Sequence, residues 1–120
     1  LVGISKMTWV ANDAAEALAK EGISCEVIDL LSISPIDYDH INESVRKTHR
    51  LVVVDEDTPV CSLASEICAR VAEEEFDYLD APPSRVTAPH TPVPYSRAME
   101  NEYMPNETRV IRTVKNLLNR

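Results

Sequence analysis

The sequence predicts an α/β fold, a three-layer α/β/α sandwich in which helices cover both faces of a mainly parallel sheet. Short runs rich in β-branched residues alternate with segments of helical periodicity, in the order β-α-β-α-β-α-β-strap-α, where the strap is the proline-rich segment 86–96. The apolar run "LVVV" at 51–54 is continuous rather than alternating, which is typical of a parallel strand covered on both faces. We therefore expect one domain over residues 1–120.

The first half of the chain contains two predicted strands and two predicted helices. "LVGIS" is the first strand, and a helix follows in "TWVANDAAEALAKEG", where Gly22 is well placed to end it. The second strand covers residues 25–30. In "SPID", Ser34 is predicted to cap the second helix, with Pro35 at its first position. The residues predicted to be buried are Val10, Ala14, Ala17 and Leu18 in the first helix, and Tyr38, Ile41 and Val45 in the second.

The second half repeats the pattern and ends in a long connection and a helix. "RLVVVDED" is the third strand, a third helix is predicted over 62–74, and "SRVTA" is a short fourth strand. Beyond the strap, Asn106 is a suitable N-cap for the last helix. That helix is predicted to bury Val110, Ile111, Val114, Leu117 and Leu118.

The net charge of the chain and its distribution narrow the classes of partner that the protein could bind. Twenty acidic against twelve basic residues give a net charge of −8, which argues against nucleic acids and anionic membranes, since both need a basic surface. Residues 55–80 contain nine acids and one base, whereas the last twelve residues contain four bases and no acid. The acidic run is open to two interpretations, a solvated helix face or a docking patch for a basic partner.

Other global features point to a protein of the cytoplasm, or of the mitochondrial matrix in a eukaryote. No apolar run approaches the roughly 20 residues of a membrane span, and no signal peptide is visible. The chain opens on Leu1 inside an apolar stretch, which we interpret as a fragment of a longer polypeptide. Cys61 and Cys68 are seven residues apart on a predicted helix, roughly 10 Å along its axis and too far for a disulfide. With Cys25, they are expected to be reduced and mostly buried.

Catalytic motifs are missing from the places where such folds carry them. Ligands bind at the carboxyl ends of parallel strands, and the polar residues there are Ser5, Lys6, Asp29, the Asp55-Glu56-Asp57 cluster and residues 87–90. No G-x-G-x-x-G, G-x-S-x-G or paired-histidine motif occurs. We therefore predict no catalytic, cofactor-binding or metal-binding residues. An alternative stays open, a free-standing flavodoxin-like binding module in which Asp55, Glu56 and Asp57 hold a metal or phosphate.

Four segments carry a family resemblance over essentially the whole chain. They are "AAEALAKEGISCEVIDLLSISPID", "RLVVVDED", "AEEEFDYLDAPPSRVTAPHTPVPYS" and "ENEYMPN". In order and spacing they resemble the C-terminal, transketolase-like domain of the beta subunit of thiamine-diphosphate-dependent 2-oxo-acid and acetoin dehydrogenases. Residues 58–67, "TPVCSLASEI", replace the glycine-rich segment of most pyruvate-type relatives and look more like the acetoin type. The resemblance and the crossover rule together imply the strand order second, first, third, fourth.

The resemblance also implies a role and a set of partners. Such a domain is non-catalytic and helps to assemble a heterotetramer with an alpha subunit and a second beta subunit, while thiamine diphosphate and Mg²⁺ are held elsewhere in the enzyme. It also docks the binding domain of the dihydrolipoamide acyltransferase. The family pattern places Asp80, of the "DAP" motif, and the C-terminal residue, here Arg120, at that docking site. The basic Arg120 departs from the hydrophobic residue common in relatives.

The strap itself has two interpretations. Pro89, Pro92 and Pro94, with Pro105 further along, fix the backbone and reduce the entropy lost on ordering. The strap could simply cover the core of its own domain. We favour a subunit-interface role in which Val93 and Tyr95 are presented to a partner, because an aromatic residue between prolines is costly to expose without one.

Overall fold

The computed structural model describes residues 1–119 and confirms the α/β class. Within them the chain forms four strands, five α-helices and one 3-10 turn. The bounds are β1 (Val2–Ile4), α1 (Met7–Lys20), β2 (Ile28–Leu30), α2 (Tyr38–Thr48), β3 (Val52–Val54), α3 (Leu63–Glu74), the 3-10 turn (Phe76–Tyr78), β4 (Ser84–Val86), α4 (Arg97–Tyr103) and α5 (Glu107–Leu118). None of the helices in this part of the chain combines the length and hydropathy that a membrane span requires.

The four strands form one parallel sheet in the order β2-β1-β3-β4, as predicted. Val2 of β1 aligns with Ile28 of β2 and with Val53 of β3, and Val52 of β3 aligns with Ser84 of β4. β2 pairs on one side only and is an edge strand. Because all strands run in one direction, their carboxyl ends lie at one edge of the sheet, here called the carboxyl edge, and their amino ends lie at the opposite amino edge.

Helices cover both faces of the sheet, which gives the predicted three layers. On one face α1 and α5 pack against each other and on the strands. On the other face α2 and α3 contribute Ile41, Val45 and Ile67 to a second core. Successive residues of β3 serve opposite cores, since Val52 and Val54 pack in the first and Val53 packs in the second. The continuous apolar run at 51–54 therefore has the two-sided burial that was predicted for it.

The buried face of α1 differs from the predicted stripe. Ala14 and Leu18 are buried as expected, but Val10 and Ala17 are only half-buried. Met7 and Ala11 occupy the core instead. The connection from β1 to α1 consists of two residues, the first of which has a positive φ of 55°, and this tight entry turns Met7 inward.

Two helix starts were predicted correctly and one was wrong. Ser62 caps α3 and Asn106 caps α5, each accepting a hydrogen bond from a backbone N–H three residues on. α2, however, is capped by Asp37, whose Oδ1 accepts from the His40 N–H at 3.1 Å, and not by Ser34. Aspartate caps as well as serine does, and this start places the predicted residues Tyr38, Ile41 and Val45 in the core.

The C-terminal third holds two further differences. α4 follows the strap directly and was not predicted. In α5 the predicted Val110, Val114 and Leu117 are buried, but Ile111 is half-buried and Leu118 is exposed. Leu118 is the last residue of α5. Arg120 lies outside the described residues.

Candidate functional site

The acidic cluster at the end of β3 does not converge on a common point. Asp55 is buried with 4% exposure, and its two carboxylate oxygens accept hydrogen bonds from the backbone N–H groups of Asp57 and Ala64, at 3.1 and 3.3 Å. Glu56 and Asp57 are both exposed, and the Asp57 carboxylate accepts a hydrogen bond from the Thr58 N–H. Asp55 thus ties the end of β3 to the start of α3, which is a structural task.

Two of the other polar candidates at the carboxyl edge, Asp29 and Thr87, have hydrogen-bond partners within the fold, whereas Ser5, Lys6 and His90 are exposed. Thr8 Oγ1 donates to Asp29 Oδ1 at 2.8 Å, which links α1 to β2. The Thr87 carbonyl accepts from the guanidinium of Arg109, a residue of α5 that sequence reasoning did not single out. Burial lowers the pKa of Arg109 from its ordinary value.

These residues do not fit thiamine diphosphate or its magnesium ion. Among residues 1–119 no three His, Cys, Asp or Glu side chains gather to hold a metal. Both oxygens of Asp55, the most buried carboxylate at this edge, already have backbone partners. Gly3, on β1, lies against the backbone of Thr8 and lines no open loop that a phosphate could enter. The alternative of a module that uses Asp55, Glu56 and Asp57 as its ligand site is therefore not favoured.

The strap presents apolar side chains outward. Thr87 and Ala88 are buried where it leaves β4, but Val93 is 71% exposed and Tyr95 is fully exposed. The strap is held on its inner side, where Tyr103 Oη of α4 donates to the Thr91 carbonyl at 3.3 Å. Val93 and Tyr95 therefore cover no core of their own domain.

Further exposed hydrophobic residues accompany the strap at the carboxyl edge. Trp9 lies at the start of α1, after β1, Leu31 and Ile33 follow β2, and Val60 follows β3. Together with Val93 and Tyr95 they form a set, here called the carboxyl-edge patch, with members on the connections after all four strands. Sequence reasoning found only the strap, because isolated exposed hydrophobic residues, whether in a loop or on the outer face of a helix, carry no periodic signal.

Asp80 lies at the amino edge, on the connection from α3 to β4. Its Oδ2 accepts from Arg50 Nη1 at 3.1 Å, and its N–H donates to the His49 carbonyl at 3.0 Å. The Asp80 side chain is still 59% exposed. Arg50 Nε also donates to the Leu117 carbonyl at 3.3 Å, so the end of α5 is close by. Asp80 and the strap residues, predicted together as partner-binding, thus lie at opposite edges of the sheet.

Some carboxylates of the acidic run 55–80 are paired with basic residues within the fold. Glu75 is buried, and its carboxylate accepts two hydrogen bonds from Arg46, at 2.7 and 2.5 Å. This pairing raises the pKa of Arg46. Glu74 accepts from Arg70 and Asn42, and those hydrogen bonds lower the pKa of its carboxyl. The run is therefore not simply a solvated helix face.

The three cysteines are free thiols with different exposure. Cys25 and Cys68 are half-buried, whereas Cys61 is exposed, contrary to the expectation of mostly buried thiols. Burial raises the pKa of the Cys68 thiol to about 11. Cys61 has a φ of 54° in the loop before α3, which turns it away from the core.

Comparisons with known proteins agree with this fold. Residues 1–110 match the family model described as "Transketolase, C-terminal domain". The chain is 45% identical over 118 residues to the acetoin:2,6-dichlorophenolindophenol oxidoreductase subunit beta of Bacillus subtilis, covering 98% of this chain and 34% of the relative. It is 49% identical over 115 residues to the mitochondrial pyruvate dehydrogenase E1 component subunit beta-1 of Arabidopsis thaliana, covering 96% of this chain and 32% of the relative.

A solved structure supports the same assignment of the fold. The protein described as "Split gene transketolase, inactive beta4 tetramer" superposes with a TM-score of 0.83 at 28% identity, covering 98% of this chain and 38% of that chain. The present chain spans about a third of the length of the curated relatives it matches.

Proposed function

The chain belongs to the transketolase C-terminal domain family, and we propose that it is the non-catalytic assembly and docking domain of the beta subunit of a thiamine-diphosphate-dependent dehydrogenase. The whole enzyme would cleave pyruvate or acetoin and pass the acyl group to lipoamide. Relatives named as pyruvate and acetoin dehydrogenase beta subunits support this proposal. We also propose a location in the cytoplasm or, in a eukaryote, the mitochondrial matrix, which agrees with the word mitochondrial in the name of the Arabidopsis relative.

The observation that carries the assembly role is the carboxyl-edge patch. Large hydrophobic side chains left exposed on one side of a domain mark an interaction surface. Val93 and Tyr95 are held outward by a proline-rich backbone, so ordering them on a partner costs little further entropy. We propose that this edge contacts the alpha subunit and the second beta subunit of a heterotetramer. The structural neighbour is itself described as a tetramer, which supports assembly by this kind of domain.

The docking role rests on Asp80 at the amino edge. Its carboxylate is exposed, carries one internal partner in Arg50 and has room for a second cation. We propose that it pairs with a basic residue of the acyltransferase's binding domain, beside the C-terminal residue Arg120. Because the two proposed surfaces lie at opposite edges of the sheet, the domain could contact the other subunits at the carboxyl edge and bind the acyltransferase at the amino edge at the same time.

Thiamine diphosphate and Mg²⁺ belong to the whole enzyme in this proposal. When bound, the cofactor supplies the carbanion that cleaves the substrate. Because no residue group within positions 1–119 fits either, we propose that this domain's own contribution is to hold subunits in place.

Assembly is tested with Tyr95→Ser and Val93→Ser in the full beta subunit, purified with its alpha subunit. In sedimentation velocity, we expect the heterotetramer of each variant to begin to dissociate at a protein concentration at least about tenfold higher than that of the wild type. The reason is that a buried aromatic or aliphatic contact would be lost. Phe76→Ser is the matched control, since Phe76 is a similarly exposed aromatic residue at the amino edge. Unchanged dissociation of both strap variants would refute the interface.

A further inference from the structure

An apolar groove lies beside Asp80 at the amino edge. Ala72 of α3, Phe76, Leu79 and the segment 81–83 form its walls, with Asp80 at its rim, and its volume is about 280 Å³. Its lining is apolar except for the Asp80 carboxylate. We call it the Phe76 groove.

The walls of the groove are held in place by the local backbone. The Leu79 N–H donates to the Phe76 carbonyl at 3.2 Å, which closes the 3-10 turn. Pro82 and Pro83 fix the opposite wall, because proline leaves the backbone little freedom. Phe76 is nevertheless 74% exposed, so a large aromatic surface faces solvent without a partner in residues 1–119.

The carboxylate at the rim is oriented before any partner arrives. Arg50 holds one oxygen of Asp80, and the His49 carbonyl holds its backbone N–H. Asp80 is the one charged residue among those that line the groove, and its side chain is 59% exposed. This carboxylate favours a cationic partner over an acidic one.

We propose that the Phe76 groove receives an aliphatic side chain that neighbours the cationic residue paired with Asp80, on a basic segment of the docking partner. This inference rests on the proposed docking function and gives that partner a second requirement. The Asp80 side chain is 59% exposed in the free chain, and an ion pair formed there stays weakened by solvent unless the partner also covers it. Filling an apolar pocket next to it supplies the desolvated contact that usually dominates an interface.

The test measures binding of the acyltransferase's subunit-binding domain to the assembled enzyme by calorimetry, at two or more salt concentrations. We expect Phe76→Ala to weaken binding about tenfold with an unchanged salt dependence, and Phe76→Leu to stay close to wild type. Ala72→Leu, which fills part of the groove from α3, should also weaken binding. Asp80→Asn should weaken binding and make it less salt-dependent.

The outcomes separate the two proposals. If Asp80→Asn weakens binding while Phe76→Ala and Ala72→Leu bind like wild type, the groove has no role and the docking proposal stands. If Asp80→Asn also binds like wild type, the docking proposal fails and the groove inference fails with it. Loss in Phe76→Ala with recovery in Phe76→Leu supports the groove.

Discussion

Arg50 and Asp80 form an ion pair, with Nη1 and Oδ2 3.1 Å apart, across 30 residues of sequence. The same guanidinium donates to the Leu117 carbonyl. Arg50, just before β3, thereby connects the "DAP" segment to the end of α5. Asp80 is thus held by a side chain of another segment.

Asp80→Asn should weaken acyltransferase binding by one to a few orders of magnitude. Truncating one side of a largely desolvated charge pair costs roughly 2–5 kcal/mol, at about 1.4 kcal/mol per tenfold. Calorimetry on the complete heterotetramer measures the loss, and activity with an artificial electron acceptor should survive. The unfolding temperature should change little, because the pair with Arg50 is partly exposed. A variant that loses stability and keeps its affinity would show that Asp80 is structural.

The isolated 120-residue chain should bind no thiamine diphosphate and decarboxylate no 2-oxo acid. Both Asp55 oxygens are occupied by backbone donors, and no carboxylate cluster gathers within residues 1–119. Titration calorimetry with Mg²⁺ and thiamine diphosphate should give no heat, while circular dichroism verifies that the sample is folded. The assembled enzyme serves as the positive control. Micromolar binding by the isolated chain would contradict the assignment.

Gly3→Ala should lower the free energy of unfolding by ~1–3 kcal/mol, the usual cost of overpacking. A Cβ at this position would lie 2.7 Å from the Thr8 backbone nitrogen and closer still to its Cα, so α1 would have to move away from β1. Urea denaturation measures the change. Gly22→Asn is the control, because a Cβ there meets nothing within 4 Å and asparagine tolerates the φ of +83°. Equal losses in the two variants would argue against the close approach.

Cys61 should react with iodoacetamide at pH 8 at least about tenfold faster than Cys68. Cys61 is exposed, whereas Cys68 is half-buried and burial raises its pKa to about 11, so its thiol stays protonated until the pH approaches that value. Peptide mass spectrometry at timed intervals gives both rates. In guanidinium chloride the two cysteines should react alike. Equal rates in the folded protein would contradict the burial of Cys68.

Most of the fold could be predicted from the sequence, because its signals are local. The alternation of strand and helix patterns, the run at 51–54, the helix start at Ser62 and the cap Asn106 are each set by a few neighbouring residues. α4 was missed because its seven residues follow a proline-rich segment that dominates the local pattern. Ser34 was predicted as the cap because a serine before a proline is a usual helix start. Asp37, three residues later, is an equally good cap, and packing of Tyr38 and Ile41 on the sheet places the start there.

The sequence by itself determined the parallel sheet, its strand order and the family. Tertiary structure alone decided which acids and which hydrophobic residues remain available to a partner. The buried carboxylate of Glu75 pairs with Arg46, 29 residues away in sequence, whereas the Asp80 side chain stays 59% exposed although it pairs with Arg50. Trp9 and Tyr95 stay uncovered although other apolar residues are buried. The physical reason is that helix and strand patterns arise from neighbours along the chain, while pairing and burial depend on which distant residues the fold brings together.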